Sequence, residues 1–273
     1  MLTRTVSLNA LDGQPYRLYV LSDAHIGDVS CDERGLRAYI RTIADDDRGR
    51  CLITGDLISA IGKGDKRLDL GSLADWVLNT RPRVQQDILG VQADRAVDWL
   101  QPIASRIDAL VCGNHEFRPR AWYGRDVMRE MARGLGCEDA YLGAQGWLTY
   151  SFQVTTTRTR AYSILLHHGT AAGKGVAPEA GELYSTLCDN DVDMAIVGHS
   201  HRRGPYPPWQ RVERDKKTGR LRLRELYGVV GGTWSMTPGV GDQWADERRL
   251  RPRSTGGVVV EYRPSSGRVS VAA

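Results

Sequence analysis

Short apolar runs of four to six residues recur along the chain, and each stops abruptly at a glycine or a polar residue. They occupy positions 16–21, 51–54, 109–112, 162–166 and 194–197. Runs this short and this continuously apolar predict strands buried on both faces. Between them, apolar residues fall near helical spacing over 33–44, 73–78, 91–107 and 123–135, which predicts helices. Alternating strands and helices imply an α/β architecture. The last third reads differently. Positions 211–215 and 220–230 flank Lys216-Lys217-Thr218-Gly219, the pattern of a β-hairpin. A loop rich in Gly, Trp and Pro follows over 231–257, then strands at 258–262 and 268–271. These additions are expected to extend a sheet, so a single domain over residues 1–273 is expected.

Composition narrows the class. Over 273 residues, 41% are hydrophobic and 26% charged, values ordinary for a soluble globular chain. No apolar run approaches the ~18 residues of a membrane helix, and no membrane association is expected. The first residues contain no apolar signal segment. The five cysteines, Cys31, Cys51, Cys112, Cys137 and Cys188, are odd in number and include no CxxC. That pattern favours reduced thiols and a cytoplasmic location. The net charge of +4 is uneven: positions 202–253 contain 13 Lys/Arg against 6 Asp/Glu, leaving the remainder near −3. A basic C-terminal third suits an anionic substrate, although charge alone fits a solvated face slightly better.

Chemistry enters through histidine. All six, His25, His115, His167, His168, His199 and His201, lie at the exits of the apolar runs. In an α/β sheet those exits line the ligand crevice. Asp23-Ala24-His25 follows the first run, and an i, i+2 pair in extended backbone sends both side chains to one side. Gly55-Asp56 follows the second, offering a carboxylate able to bridge two cations. Gly113-Asn114-His115-Glu116 follows the third, His167-His168-Gly169 the fourth and Gly198-His199-Ser200-His201 the fifth. Two aspartates, an asparagine and at least four imidazoles are too many donors for one ion and about right for two sharing a bridge. Nitrogen and oxygen donors without thiolate suit Mn²⁺ first, with Fe or Zn²⁺ as alternatives. Two such cations ~3.5–4 Å apart are a known solution for phosphoryl chemistry.

The ordered set DAH, GD, GNHE, HH and GHSH resembles the calcineurin-like metallophosphoesterase superfamily, over Asp23 to His201. The resemblance implies a four-layered αββα sandwich with a dinuclear site at the strand ends. It also implies that Asp23, His25 and His201 hold one metal, that Asp56 bridges, and that Asn114, His167 and His199 hold the other. His167 is favoured over His168 because the family's ligand in this block usually comes straight after the apolar strand. His115 corresponds to the family's non-ligand histidine, thought to stabilise the transition state or protonate the leaving oxygen. The nucleophile implied is a metal-bridging hydroxide. The second block lacks the longer GDxVDRG of protein phosphatases, reading Gly55-Asp56-Leu57-Ile58-Ser59-Ala60. Thr233-Trp234-Ser235 and Ser254-Thr255-Gly256-Gly257 are loosely similar to phosphoesterases of phages and prophages.

The expected activity is hydrolysis of a phosphodiester or nucleotide-like substrate. The alternatives are a DNA or RNA nuclease, as for the superfamily member in double-strand-break repair, and a non-catalytic metal-binding scaffold. For a nucleic-acid partner, Lys63, Lys66, Arg67, Arg81, Arg83, Arg202, Arg203 and the arginines of 248–253 offer a basic rim. Trp209, Trp234 and Trp244 offer stacking surfaces. Core packing and solvation explain these residues at least as well.

Overall fold

The computed structural model describes residues 1–60, 70–170, 176–215, 218–236 and 254–273. Twelve strands are present among them: β1 (Leu2–Asn9), β2 (Tyr16–Leu21), β3 (Gly49–Ile53), β4 (Ile107–Leu110), β5 (Gln145–Gln153), β6 (Thr159–His167), β7 (Met194–Val197), β8 (Arg203–Pro205), β9 (Trp209–Arg214), β10 (Leu221–Gly231), β11 (Val258–Arg263) and β12 (Arg268–Ala272). The helices are α1 (Glu33–Asp45), α2 (Asp75–Leu78), α3 (Arg81–Leu100), α4 (Asn114–Tyr123), α5 (Val127–Gly134) and α6 (Val176–Asp189).

The strands form two sheets. One has the order β12-β11-β2-β3-β4, and the other runs β1-β5-β6-β7-β10-β8 with β9 paired to β10. Strands β2, β3 and β4 are parallel, as are β6, β7 and β10. Apolar side chains of both sheets meet face to face: Leu18, Val20, Leu52 and Ala109 from one, Tyr150, Phe152, Ile164, Leu166 and Ile196 from the other. The outer face of the five-stranded sheet is covered by α1, α3 and α5, with Tyr19, Leu21, Cys51 and Ile53 meeting Leu36, Ile40, Ile43, Ala96 and Met128. Helix α6 covers the other sheet through Leu183 and Leu187 against Leu165, Ala195 and Val197. The layering is therefore helix, sheet, sheet, helix, a mixed α/β fold. No helix among the described residues is long and apolar enough to cross a membrane.

Local chemistry accounts for the elements near the site. In α1, Leu36, Ile40 and Ile43 fall on one buried stripe, and Asp32 caps the start by accepting from the Gly35 N–H at 2.9 Å. The Tyr39 hydroxyl on that helix donates to the carbonyls of Val20 and Val258, tying α1 across two strands. All five cysteines are free thiols, and only Cys188 is exposed.

Several expectations are corrected. The helix expected over 91–107 ends at Leu100 and passes through a 3₁₀ turn, Gln101–Arg106, before Ile107 opens β4. The helix expected over 123–135 starts only at Val127 and ends at Gly134, because Gly124 takes φ 67 and closes a preceding helix, α4, at Tyr123. Strands β1 and β5 and helix α6 were not foreseen. The expected hairpin is present as β9 and β10, although Lys216 and Lys217 in its turn lie outside the described residues.

A candidate metal centre at the junction of the two sheets

The five motif blocks converge where β2, β3 and β4 of one sheet and β6 and β7 of the other end. Their loops are zipped to each other by backbone hydrogen bonds. Asp23 N–H donates to Gly55 O at 3.1 Å, His25 N–H to Asp56 O at 3.0 Å, and Gly198 N–H to His168 O at 2.9 Å. Such close approach needs glycine. Gly55 has φ 95 and lies against Gly113, so an added Cβ would strike the Gly113 backbone. At Gly113 itself a Cβ would overlap the Asp56 carboxylate.

The backbone at this crevice is unusual. Among the described residues, six non-glycines have left-handed φ: Asp23 (48), His25 (48), Asp56 (49), Ala60 (46), His199 (66) and His201 (57). The extended-strand account of the i, i+2 pairs is thereby corrected. Asp23 and His25, and likewise His199 and His201, converge through two left-handed residues flanking one other.

Among the described residues, three groups of side chains lie close enough to share an ion: Asp23, His25 and His201; His25, Asp56 and His115; and Asp56, His168 and His199. In the first, His201 Nε2 is 3.3 Å from Asp23 Oδ1 and 3.3 Å from His25 Nε2. Asp23 is fully buried, and its Oδ1 has no hydrogen-bond donor. Its other oxygen accepts from the Ser22 hydroxyl and from the His199 N–H. In the last group, His168 Nε2 lies 3.0 Å from Asp56 Oδ2 and 3.0 Å from Asn114 Oδ1. His168 Nδ1 is 2.8 Å from the Thr54 carbonyl. That contact needs an N–H on Nδ1, so in the neutral ring the Nε2 lone pair points at the crevice, the usual arrangement for a ligating histidine.

His167 does not join these groups. It is the last paired residue of β6, opposite Gln145. Its ring turns to the α6 side, 3.7 Å from Glu182 and 3.4 Å from the Thr186 hydroxyl. The expected donor His167 thus lies outside the three groups, and the neighbouring His168 lies within one of them. Residues 162, 164, 166 and 168 share the inter-sheet face, and 165 and 167 face α6.

Electrostatics match the geometry. Burial, with His115 nearby, pushes His25 down to about 3, leaving a neutral ring. Burial would raise the carboxyls, but His115 and His168 hold Asp56 well below its ordinary range and His201 lowers Asp23. Burial works against the His168 cation, yet Asp56 pulls the group up to about 10. A buried carboxylate oxygen without a donor, imidazoles that burial keeps neutral at His25 and His199, and a carboxylate shared between two groups form a set that fits divalent cations; at His168 a cation would take the place of the Nε2 proton that Asp56 otherwise holds.

Supporting residues went unforeseen. Glu116 is 1% exposed and accepts from the N–H groups of Asp56 (3.0 Å), Ile58 (3.1 Å) and Gly113 (3.1 Å). It caps its own helix and fixes the second block against the third. Thr233 donates to the Asp23 carbonyl through its hydroxyl at 3.1 Å, and Trp234 through its N–H at 3.0 Å. Only the GNHE block hinted at Glu116. Thr233 stood out only in the loose likeness of Thr233-Trp234-Ser235, and the fold alone brings it to Asp23.

The profile of the calcineurin-like phosphoesterase family matches residues 16–203. The chain belongs to that family. No curated protein matches it. Among solved structures, this calcineurin-like phosphoesterase is 13% identical to a metallophosphoesterase from Sphaerobacter thermophilus, covering 93% of this chain and 87% of that one, with TM-score 0.38. Vps29 with Zn²⁺ from Entamoeba histolytica is 14% identical, over 94% and 97%, with TM-score 0.39. GAP50 of Plasmodium, described as the anchor in the inner membrane complex, is 12% identical, over 95% and 88%, with TM-score 0.45.

The basic rim and the tryptophans fare differently. Trp234 is 4% exposed and packs on Tyr39. Trp209 packs between Tyr184 and Tyr206. Of the rim residues, Arg202 lies 3.5 Å from Glu179, and Arg203 donates to the Thr255 carbonyl at 3.0 Å. Trp244, Lys63, Lys66, Arg67 and the 248–253 arginines lie outside the described residues, as do the side chains of Arg81 and Arg83.

Proposed function

We propose that this calcineurin-like phosphoesterase hydrolyses phosphate esters of the phosphodiester or nucleotide class, using two divalent cations. One observation carries the reading: of the six left-handed non-glycine residues among those described, five are the candidate donors Asp23, His25, Asp56, His199 and His201. Each such conformation costs of order 1–3 kcal/mol, and a cost concentrated at one crevice favours a function there.

Asp23, His25 and His201 would hold one cation, Asn114, His168 and His199 the other, and Asp56 would be shared. The donor chemistry favours Mn²⁺, with Fe or Zn²⁺ as alternatives. When bound, such a pair neutralises ester oxygens and lowers the pKa of a water. The chain's own groups supply orientation and proton transfer. Glu116 and the His115 N–H hold the Asp56 backbone and its Oδ1, the latter at 2.9 Å. His115 Nδ1 lies 2.7 Å from the Ser59 carbonyl, to which it donates. That leaves Nε2 facing the crevice, 3.9 Å from Asp56 Oδ2. With Nε2 protonated as well, the imidazolium can give that proton to the departing ester oxygen and is left as the neutral ring, a contribution of ~10²–10⁴-fold.

The test is to strip the protein of metal, restore Mn²⁺, and follow hydrolysis of bis(p-nitrophenyl) phosphate beside His115→Ala. Metal-dependent turnover that falls ~10²-fold or more in the variant supports the reading. No turnover with two equivalents of metal bound overturns it.

A further inference from the structure

Helix α3 sends one polar side chain into the core beside the candidate metal centre. Leu89, Ala93 and Ala96 of that helix are buried among apolar residues, and Gln92, between them, is fully buried as well. Its Oε1 accepts from the Ala60 N–H at 3.0 Å. Its Nε2 is buried and has no hydrogen-bond partner among the described residues. Its stem lies against the loop of the first block, where a Cβ added to Gly27 would come within 2.6 Å of Gln92 Cγ. A Leu or Met would fill this position without burying an unpaired N–H, so packing alone does not account for the amide. What the amide obtains there is its bond to Ala60.

Ala60 is itself anomalous. It is the one left-handed non-glycine of the six among the described residues that is not a candidate donor, with φ 46. Its N–H belongs to the same planar peptide group as the Ser59 carbonyl, and in a trans peptide the two point in opposite directions. Gln92 holds the N–H end at 3.0 Å, and His115 Nδ1 donates to the carbonyl end at 2.7 Å. The φ of Ala60 sets how this plane lies relative to the chain that follows. Ser59 and Ala60 are both buried, which keeps water from competing for either bond. Hydrogen bonds linked in series through one amide polarise and strengthen each other.

We propose that Gln92 is a positioning residue for His115, acting through the Ser59–Ala60 peptide. The inference rests on the phosphoesterase reading above and deepens it. By fixing the carbonyl, Gln92 fixes the ring that donates to it. The Nδ1 proton then stays in place, and Nε2 is the nitrogen that gives its proton to the leaving oxygen. Leu57-Ile58-Ser59-Ala60 offers no carboxylate for this role, so an uncharged peptide, clamped from both ends, performs it. Asp56 is held separately, by Glu116 and by the His115 N–H.

The experiment uses the Mn²⁺-restored full chain and two esters that differ in leaving group, bis(p-nitrophenyl) phosphate and bis(2,4-dinitrophenyl) phosphate. The second leaving group is the weaker base and needs a proton less. Gln92→Met keeps the size of the side chain and removes the accepting oxygen. It is expected to retain two equivalents of Mn²⁺ and to lower kcat about 5- to 30-fold for the p-nitrophenyl ester but less than about threefold for the dinitrophenyl ester. KM should change less than about twofold. In a His115→Ala background, Gln92→Met should cost less than about a further twofold, because the ring it orients is gone. Gln92→Asn, which withdraws the same oxygen by one methylene, is read in the same way should Gln92→Met fail to fold. Equal losses on the two esters, losses that add in full to those of His115→Ala, or loss of bound metal each overturn the positioning role and leave the phosphoesterase reading standing. A wild type that hydrolyses neither ester with two equivalents of metal bound takes down both.

Discussion

Replacing His168 and His167 one at a time separates two neighbouring histidines that differ in nearly every physical respect. His168 is 5% exposed. Its Nε2 lies 3.0 Å from both Asp56 Oδ2 and Asn114 Oδ1, and its Nδ1 lies 2.8 Å from the Thr54 carbonyl. On the proposed assignment, His168→Ala removes a donor from the second cation, and it takes away the partner of the buried Thr54 carbonyl. Changing an outer partner of a ligand already costs ~10–100-fold in metal affinity, so losing a direct donor should cost at least ~100-fold, or ~2.8 kcal/mol. The unpaired carbonyl adds ~1–3 kcal/mol of lost stability. The His167 ring lies beside the partly buried Glu182 and Thr186, away from the three groups, and His167→Ala should change metal affinity by less than about threefold. Metal content by mass spectrometry after dialysis against limiting Mn²⁺ reads the result directly. His168→Ala should fall from about two equivalents to about one and lose ester hydrolysis ~10²-fold or more, while His167→Ala retains both. Thermal melts in chelator separate misfolding from ligand loss, and His168→Asn provides a smaller perturbation if the alanine variant is unstable. Full metal content in His168→Ala together with metal loss in His167→Ala would falsify the assignment.

Three further outcomes follow from the same geometry. Gly113→Ala should lower kcat/KM by ~10²-fold or more, because the new Cβ overlaps the Asp56 carboxylate although φ −82 suits any residue. An active Gly113→Ala enzyme would show that Asp56 can shift without penalty. Glu116→Gln replaces one of two accepting oxygens by an amide that faces a buried N–H. It should cost ~1–3 kcal/mol in urea unfolding of the metal-free protein, and an unchanged midpoint would mean that these N–H groups find other acceptors. Asp46 pairs with Arg17 and accepts from the Tyr19 hydroxyl at 2.9 Å. Burial would raise this carboxyl, but Arg17 and the Arg48 N–H hold it below its ordinary value. Its contribution is therefore present above the unfolded pKa of ~3.9 and lost as pH falls through the lower folded value. Asp46→Asn should be ~1–3 kcal/mol less stable at pH 7, discounted for the partly exposed Arg17. The gap should narrow below about pH 4, and a gap that does not change with pH would contradict the ion pair.

Much of the site was legible in the chain because strand ends are legible. Short apolar runs closing on Asp23, Asp56, Asn114 and His199 announce buried parallel strands, and parallel strands deliver their C-terminal residues to one crevice. The buried stripe of α1 could be read in the same way. What periodicity could not decide was which of two adjacent histidines faces that crevice. Ile164, Leu165 and Leu166 are all apolar because β6 is covered on both sides, by the second sheet and by α6. The two-residue alternation that would separate His167 from His168 is therefore absent from the sequence. The left-handed backbone at Asp23, His25, Asp56, His199 and His201 was invisible for a related reason, since only tertiary contacts hold non-glycine residues in that conformation. Trp122 and Trp234 are the same residue type, yet one ends a helix in solvent and the other lies under Tyr39. Residue identity along the chain determined which donors reach the crevice, and three-dimensional packing alone decided which way each of them points.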